Sequence, residues 1–408
     1  MSVTETVRST TDDLLAPFAD VVAELAETAA ARDDTRTLPF AQVAELARRG
    51  LWALRVPVSH GGRGASIAEL TRVLVAVAEA EPNVVQALRS HVLFTEAIIA
   101  APDSPDRDRW LRRIAGGAVL GGAHTERNPQ NTDHFGTTVT TGGDGVRRVD
   151  GVKYYSTGSL YADWIVTNAE ADDDRLETLV VGADAPGVTR VDDWDGFGQQ
   201  LTASGTTRFE GVVVDEAEQL HVELGSEGTS LAQHLHLVAL AGIARAVHRD
   251  VVAFVRDRRR WFAQSRGELP RHDAQVQEVV GELSTTAYLA ETVVADVARA
   301  LDALRAGAAD GSATPADEDT VELRVYRAQV LLVRDVPAAA TRLFDVGGAS
   351  ALSRSRRLDR HWRNARTLAT HNPIPYRLSS IGDHDLNGTS PFHAWFSGVD
   401  LRGRAAQG

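Results

Sequence analysis

The sequence has 408 residues, more than one hydrophobic core usually supports, so we expect more than one domain. Hydrophobic residues make up 43% and charged residues 24%, which is ordinary for a folded protein. The net charge of −13 argues against a nucleic-acid partner. The absence of cysteine excludes disulfides, thiolate catalysis and cysteine-ligated metals.

No apolar run is long enough to cross a membrane, and the first residues are polar and acidic, unlike a signal peptide. We therefore expect a cytoplasmic protein with no membrane partner. Lys153 is the only lysine, which excludes the lysine of a phosphate-binding P-loop.

The chain divides by pattern into three zones. Residues 1–118 show helical apolar spacing, most clearly from Ile67 to Glu81, and Pro82 interrupts this pattern. Residues 119–225 are rich in glycine and threonine and carry short alternating apolar runs separated by turn signals. This pattern predicts an antiparallel barrel or sandwich.

Long helical patterns return in residues 226–408. They cover residues 230–258, 273–306 and 315–346, and they predict a helical bundle. The glycine-containing segment 307–312 is expected to be a loop between two of these helices.

Five segments resemble sequence motifs of one protein family, and they occur in the same order along the chain. They are residues 51–64, 123–128, 151–169, 195–214 and 259–262. Together they resemble the acyl-CoA dehydrogenase superfamily. The resemblance implies an α+β fold with an N-terminal helical domain, a middle β-barrel domain and a C-terminal four-helix bundle. It also implies a flavin site formed between subunits and a homotetramer.

The region 360–377 departs from the dehydrogenase pattern. A dehydrogenase needs a base to take the α-proton of a thioester, and no carboxylate occupies the usual place. The sequence here, with the pattern W-R-N-x-R-T-x-x-x-H-N-P, is instead similar to flavin monooxygenases of the dibenzothiophene monooxygenase type. That resemblance implies a two-component enzyme, in which a separate flavin reductase supplies reduced FMN, with FAD as the alternative. Reaction with O2 then gives a C4a-hydroperoxyflavin, which oxygenates a heteroatom or an aromatic carbon of a small-molecule substrate.

Two other interpretations stay open. One is an FAD-dependent acyl-CoA dehydrogenase-like oxidoreductase acting on a thioester, with its base at Glu278, Glu282 or Glu291. The other is a non-catalytic scaffold with the same fold. A metal site is not expected, because His234 and His236 are two residues apart on a helix and point in different directions.

The resemblance also implies site residues. His91, Thr157 and His371 are the expected catalytic residues, since imidazoles and hydroxyls can donate hydrogen bonds to a flavin-bound oxygen. Thr125, Thr157 and Arg259 are expected to bind the cofactor, with the Arg259 guanidinium on the phosphate.

A structural explanation exists for each of these residues. His91 would be a buried histidine bonded to the backbone, and Thr157 a strand residue. His371 would be incidental to an Asn-Pro turn that opens a helix, and Arg259 a cation near a helix end. Three further arginines at helical spacing would be either a phosphate clamp or a solvated face: Arg360, Arg363 and Arg366.

Overall fold

A computed structural model describes residues 14–127, 136–173, 175–219, 222, 227–263, 265 and 269–391. The first part of the chain is helical. Its helices are α1 (Ala19–Thr35), α2 (Phe40–Arg48), α3 (Ile67–Ala80), α4 (Pro82–Ala87), α5 (Arg89–Ala100) and α6 (Pro105–Ala115). Helix α3 begins at a capping box, in which the Ser66 hydroxyl accepts from the Glu69 backbone and the Glu69 carboxylate accepts from the Ser66 backbone.

The middle of the chain forms one sheet. Its strands are β1 (Leu120–Ala123), β2 (Thr138–Thr141), β3 (Arg147–Lys153), β4 (Trp164–Ala171), β5 (Leu176–Gly182), β6 (Val188–Val191) and β7 (Thr206–Val213). The strand order is β1-β4-β2-β3-β7-β6, and β5 pairs with the other side of β4. Within the described residues no pairing closes the sheet. The middle domain is therefore a curled, open half-barrel, which agrees with the expected middle β-barrel domain.

The pairing is also more mixed than expected. Strands β1 and β2 both run parallel to β4, whereas the other pairs are antiparallel. Parallel pairs join strands distant in sequence, so alternation within short segments could not predict them.

Helices return in the last part of the chain. They are α7 (Glu227–Asp257), α8 (Ala274–Asp310), α9 (Pro315–Arg342), α10 (Asp359–Leu368) and α11 (Ile374–Asn387). The expected loop at 307–312 is wrong for its first four residues, because α8 continues to Asp310 and is followed by Gly311, whose φ is +77°.

One large apolar core joins the N-terminal helices to α7, α8 and α9, and a second lies within the sheet. The α+β class and the order helices, sheet, helices agree with the sequence-based expectation. The sheet packs beside the helices, and an apolar-walled cavity opens between the two.

Candidate active site

A cavity of about 550 Å³ lies between the sheet and the helices. This volume is within the range that small-molecule sites usually have. Its described lining contains no aspartate or glutamate, and Arg89 is its single permanently charged residue. The lining residues are Gln86, Arg89, Thr125, Tyr155, Thr157, Trp194, Gly196, Phe197, Gln199, Thr202, Ser204, Thr367, Leu368, Thr370 and His371.

A row of hydroxyl groups joins the turn after β3 to the segment between β6 and β7 along one side of the cavity. The Thr157 hydroxyl lies 2.8 Å from the Ser204 hydroxyl, which lies 2.7 Å from the Thr202 hydroxyl. Thr157 follows β3 in a turn, and Gly158 has a φ of +80° there. A Cβ at Gly158 would lie 2.0 Å from the backbone oxygen of Ala87, so only glycine allows this approach to α4.

The segment between β6 and β7 forms a second wall. Gln199 and Ala203 both have a φ of +52°, and Tyr155 across the cavity has a φ of +55°. Left-handed backbone at non-glycine residues is uncommon and tends to collect at functional sites. Both amide atoms of the buried Gln199 side chain have no hydrogen-bond partner within the described chain, which leaves them available to a ligand.

The tryptophan-arginine-asparagine motif of α10 holds this wall in place. The Asn364 side chain accepts a hydrogen bond of 2.7 Å from the Gln199 backbone. The Trp362 ring stacks on Phe197 at 5.8 Å, and the Arg363 guanidinium donates to the Phe197 carbonyl at 3.1 Å. The motif therefore positions the cavity wall.

Thr125 lies in a turn that is braced from within the sheet. The Thr125 carbonyl accepts from the Tyr154 backbone at 2.7 Å. The next residue, Glu126, pairs with the fully buried Lys153 and accepts from the backbone of Gly136 at 2.6 Å. The ion pair thus fixes the turn that brings Thr125 to the cavity, and Glu126 itself does not line it.

His371 stands on the helical side, in the link between α10 and α11. Asn372 holds this link through its side chain, which donates to Gln233 at 2.6 Å, and through its carbonyl, which accepts from Gln329 at 3.0 Å. The His371 ring packs on His236 with centroids 4.1 Å apart. Enclosure by protein, and then the charge of Arg89, lower the pKa of His371 to about 4, so the imidazole is neutral at physiological pH.

His91 does not line the cavity. Its Nδ1 accepts from the Leu120 backbone at 3.1 Å, so Nε2 carries the proton and donates to the Trp52 carbonyl at 3.1 Å. Burial lowers its pKa to about 4. The catalytic role expected for His91 finds no support in this arrangement. It instead joins a helix, a strand and the segment around Trp52.

The expected phosphate-binding arginines divide into two groups. Arg259 is exposed just beyond the end of α7 and does not line the cavity of its own chain. Arg360 pairs with Asp250 at 2.6 Å, and Arg363 pairs with Asp33 at 2.6 Å. Since those two guanidinium groups are already committed to carboxylates, a phosphate clamp on this face of α10 is not supported.

Of the residues predicted from the sequence, Thr125, Thr157 and His371 line one cavity in the structure. The sequence analysis did not identify several other residues of this site. The missed lining residues are Gln86, Arg89, Gln199, Thr202 and Ser204. His236, which packs on the His371 ring without lining the cavity, was also missed. The run 199–204 is mostly polar within the motif segment 195–214, which was a usable signal. Arg89 gave none, because a single arginine beside a helix start is common.

The carboxylates proposed as a dehydrogenase base lie elsewhere. Glu282 pairs with Arg342 at 2.8 Å, and Glu291 pairs with Arg245 at 3.1 Å, both on half-exposed surfaces. Glu278 lines a separate depression near Asp345. In the part of the chain that the structure describes, no cluster of three metal-ligating side chains is found. None of the described helices is long and apolar enough to span a membrane.

Comparison with known proteins places this geometry in context. Residues 4–118 match the family described as acyl-CoA dehydrogenase, N-terminal domain, and residues 235–375 match acyl-CoA dehydrogenase, C-terminal domain. A probable FMNH2-dependent monooxygenase, SfnC, from Pseudomonas putida is 28% identical over 94% of this chain and 97% of its own.

Two solved structures have the same architecture. Methanesulfinate monooxygenase MsuC from Pseudomonas fluorescens has a TM-score of 0.83 and 27% identity, covering 92% of this chain and 97% of its own. TdsC from Paenibacillus sp. A11-2, in complex with FMN and indole, has a TM-score of 0.84 and 25% identity. It covers 95% of this chain and 100% of its own.

Proposed function

Because the chain belongs to the acyl-CoA dehydrogenase superfamily, and within it to the flavin-dependent monooxygenases, we propose that it is the oxygenase of a two-component system. Its cofactor is reduced FMN, with O2 as co-substrate. In the proposed reaction a separate reductase delivers the reduced FMN, which supplies a C4a-hydroperoxyflavin when it meets O2. One oxygen atom enters a small organic substrate, the other leaves as water, and the flavin is released oxidised.

The observation that carries this proposal is the chemistry of the cavity lining. Hydroxyls of Thr125 and Thr157 and the unpartnered amide of Gln199 are the kinds of groups that bind the polar edge of a flavin ring. Oxygen transfer requires hydrogen-bond donors and exclusion of water, and it needs no carboxylate base in the cavity. The described lining has the donors and lacks the base.

Four side chains have roles in this proposal. Thr157, held by Ser204, orients the flavin from the sheet side. The neutral imidazole of His371 donates to the oxygen transferred, and its packing on His236 sets the direction of the ring. Neutral imidazole suits this task, since it is a donor that can also pass a proton.

Anaerobic titration followed by oxygen addition tests the proposal. The purified chain should be nearly colourless and should bind reduced FMN more tightly than reduced FAD. Oxygen should then produce a transient absorbance distinct from that of oxidised flavin. A yellow protein that reduces an artificial acceptor with an acyl-CoA would refute it in favour of the dehydrogenase. A protein that binds neither reduced flavin would favour a scaffold.

The proposed assembly is a homotetramer, in which Arg259 serves the flavin phosphate of a neighbouring subunit. Its exposed position beyond α7 supports this, because such a residue is available to another chain. Light scattering should give four times the chain mass, and a monomer at working concentration would contradict this part of the proposal.

A further inference from the structure

Arg89 differs from the other enclosed arginines of this chain. Arg32 pairs with Glu81 at 3.0 Å, and Arg363 pairs with Asp33 at 2.6 Å. Arg89 lines the cavity, its Nε is buried, and within the described residues no group accepts a hydrogen bond from it. An enclosed cation without a counter-ion is costly, so its presence calls for an explanation outside the chain itself.

The groups around Arg89 do not neutralise it. The nearby imidazoles of His124, His236 and His371 have pKa values lowered mainly by burial and further by the Arg89 charge. Burial lowers the pKa of Arg89 itself to about 10, so it remains charged at neutral pH. With no carboxylate in the described lining, this part of the cavity is positive and has no internal anion.

Gln86 enters the cavity from α4 and Arg89 enters it from α5, both on the helical side. Thr125 and Thr157, the proposed flavin contacts, enter from the sheet side. The guanidinium therefore reaches the cavity from the helical wall, where a ligand group bound to it is held from the helical side. Its planar fork matches the two oxygens of a carboxylate or sulfinate, and apolar walls such as Phe197 and Leu368 suit an organic body.

We propose that Arg89 binds the oxoanion of the substrate, and that the substrate is a small organic acid carrying one carboxylate or sulfinate group. This inference rests on the proposed monooxygenase function and specifies the substrate class of that site. His371, on the same side of the cavity, then lies close to the bound anion as well as to the oxygen that is transferred.

Calorimetric titration of the full chain without flavin tests the binding step alone. Sodium benzoate and sodium methanesulfinate serve as anionic probes, with benzamide as the neutral analogue of benzoate. We expect the anions to bind better than benzamide. Arg89→Met should weaken anion binding about 10- to 100-fold, the scale of a lost charge-assisted pair, and leave benzamide binding unchanged. Arg72→Met, on an exposed face of α3, removes the same charge and should change nothing.

Thermal unfolding gives a second readout that does not depend on flavin or activity. Removing an unpaired, enclosed charge should leave the melting temperature of Arg89→Met equal to or above that of the wild type. A large fall would mean that the guanidinium has an internal partner and would overturn the inference.

Three binding outcomes would also overturn it. The first is equal anion binding in wild type and Arg89→Met. The second is loss of anion binding in Arg259→Ala alone, which would place the anion at the phosphate site. The third is an Arg89→Met variant that binds reduced FMN more weakly but binds the anionic probes as the wild type does, which would make Arg89 a flavin ligand. Failure of wild-type protein to bind reduced FMN, with anion binding intact, would instead count against the proposed function.

Discussion

His371→Ala is the substitution that bears most directly on the proposed chemistry. His371 is the one imidazole in the described cavity lining, so the change removes a single hydrogen-bond donor. The link that carries it should stay in place, because Asn372 is held by Gln233 and Gln329 independently of the ring. Reduced FMN should therefore bind nearly as before.

The magnitude follows from the loss of one donor to a developing oxyanion. Such a loss costs about 3 kcal/mol in an enclosed site, or roughly 100-fold in rate. Oxygen transfer should slow by that factor while decay to hydrogen peroxide continues. The ratio of oxygenated product to flavin oxidised should then fall from about 0.9 to roughly 0.1, because transfer and decay compete for the same species. Since the pKa of His371 is about 4, this ratio should be flat between about pH 6 and 8.

The assay is a single turnover with a fixed amount of reduced FMN, in which product and hydrogen peroxide are both measured. Thr370→Ala is the matched control, because this neighbour lines the same cavity and its hydroxyl is bonded to the Arg366 carbonyl at 2.8 Å. His371→Gln, which keeps a donor, should recover part of the coupling. A wild-type ratio in His371→Ala would refute the catalytic role and leave the residue as part of a turn.

Three further results are expected. Gly158→Ala should lower the free energy of unfolding by more than about 2 kcal/mol, because its Cβ would meet the last carbonyl of α4. Gly50 also has a positive φ but faces open space, so Gly50→Ala should lower it by only about 1 kcal/mol, as measured by urea unfolding. Arg259→Ala should weaken the binding of reduced FMN by about 1.5–3 kcal/mol in anaerobic titration. Substitution of its exposed neighbour, Arg260→Ala, should leave this binding unchanged. Burial lowers the pKa of His234 in the folded chain to about 3. As the pH drops below about 6.5, His234 is therefore protonated in the unfolded chain and not in the folded one, and the free energy of unfolding falls. His234→Gln should reduce that slope by about 1.4 kcal/mol per pH unit; equal slopes would contradict this.

Helices were predictable from the sequence because their signals are local. Apolar spacing and the break at Pro82 marked Ile67–Ala80 nearly to the residue. The sheet was not predictable in the same way, because β4 takes parallel partners on one side and an antiparallel partner on the other. Those choices depend on packing between distant segments, which short alternating runs do not encode.

Arg89 and His91 show where the site could not be read from the sequence. They are two residues apart on one helix, so their side chains point about 200° apart. One therefore faces the cavity and the other contacts the backbone of Trp52 and Leu120, and motif resemblance singled out only His91. Left-handed backbone at Gln199 and Ala203 was equally invisible, since neither residue type signals it.

The buried Lys153 gives this protein a chemical property of practical use. It is the only lysine in the sequence, and its side chain is 0% exposed beneath the turn that carries Thr125. Reagents that acylate amines will therefore find no lysine side chain on the folded surface. The rate at which such a reagent modifies Lys153 then measures how often this turn opens, and a ligand that holds the turn closed should slow the labelling in proportion to its occupancy.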